Sequence, residues 1–145
     1  MSNTQEDSER YIELSKRILV KRNLNAKSYE RALTLAAAAT RLEPDSYEFL
    51  LWRGIAEYRT GRFRAAIETL TRSHQLYEDL KIAPSRPSNL AFLCLAQLKL
   101  GELALAKKTH QRLMGATKGD PDFEICWFDN LMDELEAAMK GKKQD

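Results

Sequence analysis

Cysteine and histidine are scarce in this chain of 145 residues, two of each, and neither kind is clustered. Cys94 and Cys126 make no CxxC pair, and His74 and His110 make no HExxH, so neither a zinc site nor a disulfide framework organises the fold. Both cysteines read as small core residues and His74 as surface. Proline occurs only at 44, 84, 87 and 121, which leaves long stretches free of the residue that most strongly breaks a helix. No run of about 18 or more apolar residues is present, so no segment reads as a membrane span. The start, MSNTQEDSER, is polar and acidic where a signal peptide needs basic residues and then an apolar stretch; the expected location is cytoplasmic. GxSxG, GxxxxGKS or GxxxxGKT, and paired metal ligands are also missing, and with them the ordinary means of building a catalytic nucleophile, a phosphate cradle or a metal centre. The expectation is no catalytic residue, no metal and no cofactor.

What is present is ordinary for one globular domain spanning 1–145, with 43% hydrophobic residues available to build a core. The net charge of +2 is unevenly spread. Residues 51–118 carry 12 basic against 5 acidic side chains, and residues 119–145 carry 3 against 8. Such asymmetry can mark a nucleic-acid surface, so a nucleic-acid-binding helical repeat using 51–118 is the alternative reading. Against it, the basic residues are spread through amphipathic segments. The aromatics are few and not interleaved with them, as stacking on single strands requires.

The chain repeats itself. LWRGIAEYRTGRFRAAIETL at 51–70 aligns without a gap on AFLCLAQLKLGELALAKKTH at 91–110, with Ala56 over Ala96, Gly61 over Gly101 and Ala66 over Ala106. Apolar spacing of three and four residues predicts helices over about 5–22, 27–42, 46–60, 62–81, 88–100 and 102–116. The first would bury Tyr11, Leu14, Ile18 and Leu19, and Asp45 with Glu48 would cap the third. Asp120, Pro121 and Gly141 frame a seventh over about 121–140. No segment alternates as a strand does. The expected class is all-α: stacked antiparallel helical hairpins, about seven helices.

These residues resemble the tetratricopeptide repeat (TPR) family. The first unit matches at Leu19, Ala32 and Pro44, the second at Leu50, Gly54, Ala66 and Leu70, the third at Leu90, Leu93, Cys94 and Ala106, with His110 in a slot usually aromatic. Arg53 replaces an aliphatic, and Glu57 and Gln97 replace tyrosine. Three imperfect repeats at about 11–46, 47–82 and 87–120, then a capping helix, would make a TPR-like α-solenoid. The extra length between the second and third falls near LKIAPSRPSN. The pairing also resembles repeat segments at the ends of larger bacterial signalling proteins.

The resemblance implies a non-catalytic protein–protein interaction scaffold, monomeric or weakly self-associating, whose first helices line a concave groove for a peptide or helix. Carried over, the groove is Arg17 and Lys21 with Leu14 and Leu24; Leu51, Ile55, Tyr58 and Arg59; and Leu95, Leu98 and Lys99 with Ala91. Leu51, Ile55, Leu95 and Leu98 read equally well as interhelical core. The asparagines that family members use to clamp a chaperone's terminal carboxylate do not accompany Arg17 and Lys21, which disfavours that ligand. The last helix, with Phe123, Trp127, Leu131, Leu135 and Ala138 on one stripe, reads as a cap over the end of the stack. A sharper reading folds this acidic helix into the basic groove or docks it on another molecule, with Trp127 and Phe128 as anchors.

Overall fold

The computed structural model describes residues 4–81, 86–117 and 128–143. Seven helices and no strand occur among them: α1 (Thr4–Leu19), α2 (Ala26–Leu42), α3 (Tyr47–Arg59), α4 (Phe63–Asp79), α5 (Pro87–Lys99), α6 (Leu103–Ala116) and α7 (Leu131–Lys143). The chain is all-α, as its spacing of apolar residues requires. None of the described helices is long and apolar enough to cross a membrane.

The repeat at 40 residues is structural. Gly61 and Gly101 both take positive φ, 81° and 75°, the left-handed conformation that closes a helix without a Cβ penalty. Each turn carries the same backbone bonds: Gly61 N–H to Tyr58 C=O and Arg62 N–H to Glu57 C=O, then Gly101 N–H to Leu98 C=O and Glu102 N–H to Gln97 C=O. Even the polar departures from the family pattern correspond. Glu57 and Gln97 are both buried, and Gln97 accepts from the Thr109 hydroxyl at 2.7 Å across its hairpin, where the preceding hairpin has Thr69 at the matching place.

Three hairpins, α1 with α2, α3 with α4 and α5 with α6, stack in order. Their first helices touch in sequence, α1 on α3 and α3 on α5, and form one layer; α2, α4 and α6 form the other. Small residues set the close approaches. Ala32, Ala36, Ala39, Ala66 and Ala106 are fully buried, and Gly54 lies against Leu70. Helix α5 is the centre of the molecule. Every residue from Pro87 to Leu98 is buried, because α3, α4, α6 and α7 all pack on it, and its sequence is apolar all round to match.

Four expectations are corrected. Helix α1 buries Ser8, Ile12, Ser15 and Leu19 toward α2, and Tyr11, Leu14 and Ile18 stay half-buried. The rotation follows from the serines: Ser15 Oγ donates to Ala32 C=O at 2.9 Å, a backbone approach that larger side chains would prevent. The α3 cap is Ser46, whose hydroxyl accepts from Phe49 N–H at 3.2 Å, because the helix begins one residue later than expected; Asp45 instead pairs with Arg72 at 2.7 Å. His74 is buried. The seventh helix is not one piece over 121–140: Phe128–Asn130 form a bend and turn, Asn130 has φ 53°, and the helix runs from Leu131 through Gly141. A right-handed helix does not propagate through a left-handed residue. Asp120, Pro121, Phe123, Cys126 and Trp127 lie outside the described residues.

Candidate binding groove

The layer formed by α1, α3 and α5 is the surface on which a groove was expected, and it is covered by the chain itself. Phe128 inserts between Trp52 of α3 and Phe92 of α5, stacked on the first at 5.5 Å between centroids and edge-on to the second at 5.1 Å. The next residue donates its backbone N–H to Val20 C=O at 2.8 Å, which ties the segment to the end of α1. Helix α7 then packs on α5, with Leu131 and Leu135 fully buried.

One turn into α7, Glu134 meets a cationic clamp. Arg59 holds it through both guanidinium arms, Nη1 to Oε2 at 2.7 Å and Nη2 to Oε1 at 2.9 Å; Arg22 Nε stands 3.6 Å away and the Tyr58 hydroxyl donates at 3.3 Å. The Arg59 and Glu134 side chains are only 10% and 12% exposed, so the pair is little screened. The guanidinium also lies 5.5 Å from the Tyr58 ring and 5.4 Å from the Phe92 ring, so one arginine joins the aromatic slot to the carboxylate site. Burial, and then the neighbouring Glu134 carboxylate, push the Tyr58 phenol well above its ordinary range, so it stays a donor. A cleft of about 490 Å³ beside the clamp is lined by Arg22, Tyr58, Arg59, Lys99 and Glu134.

The structure divides the expected groove residues into three groups. Leu51, Ile55, Leu95 and Leu98 are buried, the core alternative noted for them. Leu24, Tyr58, Arg59 and Lys99 line the cleft together. Arg17 and Lys21 are exposed and lie apart from it. Trp52, Phe92, Arg22 and Glu134 were missed. A signal for two of them was in the alignment, where Trp52 over Phe92 is the one aromatic-over-aromatic pair.

A second cavity, about 530 Å³, lies between α6 and α7 and is lined by Met114, Met132, Met139 and the half-buried His110. Among the described residues no group of three or more His, Cys, Asp or Glu side chains is placed to hold a metal ion. No protein-family model, no curated protein and no solved structure matches this chain.

Proposed function

We propose that the chain is a tetratricopeptide-type interaction module, cytoplasmic and without catalysis of its own, that binds a helical segment of another protein on the layer formed by α1, α3 and α5. One observation carries this reading: that layer already holds a polypeptide segment through an aromatic slot, a backbone hydrogen bond and a bidentate carboxylate clamp. A surface that serves only as core has no use for a carboxylate gripped by two arginines. Helix-in-groove recognition uses this combination of apolar anchors at helical spacing and a polar group that fixes register.

The nucleic-acid alternative is disfavoured by the fate of the arginines. All seven in 51–118 lie within 3.7 Å of a carboxylate, several of them supplied by the flanking segments. Glu30, Asp45, Glu48 and Glu134 thereby offset part of the excess charge visible in the sequence.

The test is a library of helical peptides screened against a full chain carrying Phe128→Ala and Glu134→Gln, which loosen the internal segment. The expected outcome is a set of binders that Arg59→Gln weakens. A folded variant that selects no peptide, or only peptides indifferent to Arg59, refutes the reading.

A further inference from the structure

Resting on that reading, the geometry points to the partner's chemistry: we infer that the segment bound in trans is a short helix of the pattern aromatic-x-x-Leu-x-x-Glu-Leu, the pattern with which Phe128, Leu131, Glu134 and Leu135 fill the groove, and that it competes with them.

Each place in the pattern answers to a feature of the groove. The first must be aromatic, because the slot offers the face of Trp52 and the edge-on ring of Phe92, with interplanar angles to Phe128 of 29° and 66°. A flat ring satisfies both walls, and a branched aliphatic satisfies neither. The second cannot be proline, since its N–H is spent on Val20 C=O. The third sits at φ 53°, where asparagine or glycine is favoured, and it turns the chain so that the helix starts immediately afterwards. The two leucines stand four residues apart on one helix face and are buried to 1% and 0%.

The acid is the most exacting position. Two guanidinium N–H groups of Arg59 point at two carboxylate oxygens. Glutamine offers one oxygen in their place and turns an N–H donor toward a cation, so an amide is rejected where an aliphatic slot would tolerate it. Placement in the first turn adds the favourable field of the helix N-terminus. The internal copy then sets the threshold for entry. A tethered segment acts at an effective concentration on the order of millimolar, so a partner must match the whole pattern to displace it.

The experiment uses the full chain and a fluorescein-labelled peptide of residues 128–143, read by anisotropy. The Phe128→Ala, Glu134→Gln chain is expected to bind the peptide at least about 10-fold more tightly than the parent chain does, whose own segment competes. Peptides carrying Phe128→Ala or Glu134→Gln are expected to lose about 10-fold or more each. In an Arg59→Gln chain the Glu and Gln peptides become equal, a loss of discrimination that general destabilisation would not produce. Should the double variant lose its helical circular dichroism, Glu134→Gln alone serves as the loosened chain. Equal binding of all three peptides overturns the pattern. If library peptides without the pattern bind in an Arg59-dependent way, the interaction module stands and this inference falls; if no peptide binds, both fall. A loosened chain that instead forms a concentration-dependent dimer assigns the occupant to a second copy and overturns the assignment to a partner protein.

Discussion

Gly54 shows what a single atom decides here. A Cβ at that position would stand 2.6 Å from Cγ and Cδ2 of Leu70, a fully buried side chain on the facing helix. Gly54→Ala gains about 1 kcal/mol of helix propensity but overpacks a closed site at about 1–3 kcal/mol, so the variant should unfold at lower urea; a rise in the midpoint would mean that Leu70 can move aside. Cys94 occupies the equivalent place in the next hairpin, and burial pushes its thiol up to about 11, as expected of a core cysteine. His74 was expected at the surface, yet it is buried beside Glu78 and Arg112. Burial holds its pKa below the ordinary 6.5, Glu78 opposes this and Arg112 adds to it. A proton therefore binds the unfolded chain more readily than the folded one. The stability this contributes is complete above pH 6.5 and is lost as pH falls through the lower folded value. Replacing His74 by asparagine should flatten the stability curve of the parent below pH 6.5; an unchanged slope would show that the ring is solvated in the folded chain.

At the scale of the element, six helices start and stop within about three residues of the bounds expected from apolar spacing and from breakers such as Gly61 and Gly101, because those signals act over a single turn. Rotation about the helix axis is less local. Helix α1 turns its serines inward because their small side chains let α2 come close enough for Ser15 to donate to Ala32 C=O, a choice settled by the facing helix. Helix α7 is held differently from the rest. The others pack along a hairpin partner, and α7 rests on α5 with Glu134 pinned by Arg59 and Arg22. Glu134→Ala strands a nearly buried arginine, so the melting temperature should fall by the equivalent of about 3 kcal/mol. A chain that melts like the parent would put the carboxylate in solvent.

For the whole molecule, the arrangement of charge decides more than its sum. Arg62 reaches Glu30 and Arg72 reaches Asp45, two acids outside the basic middle segment, and Arg64 reaches Glu102 within it, so each of these arginines is matched by a carboxylate. Each exposed pair adds little stability, but each neutralises charge that a phosphate backbone would need. The chain should show no micromolar affinity for a generic single-stranded oligonucleotide at physiological salt. Binding that weakens steeply as salt rises would contradict this.

The all-helical class, the hairpin stack and the 40-residue repeat down to Gly61 and Gly101 were determined by sequence alone, because turn closure and apolar spacing are short-range and survive in any context. The alignment also pairs Arg59 with Lys99, but it does not distinguish these two, which line one cleft with Tyr58, from Arg17 and Lys21, which do not. The acidic C-terminal segment offers Asp129, Asp133, Glu134 and Glu136, and nothing local separates them. Only the tertiary structure decided that Glu134 meets Arg59 and that Phe128 fills the slot between Trp52 and Phe92. Those contacts join residues more than 30 positions apart, and they depend on where the chain re-crosses α5. A bidentate clamp is a property of that return path, and side-chain chemistry alone selects no partner among equivalent acids.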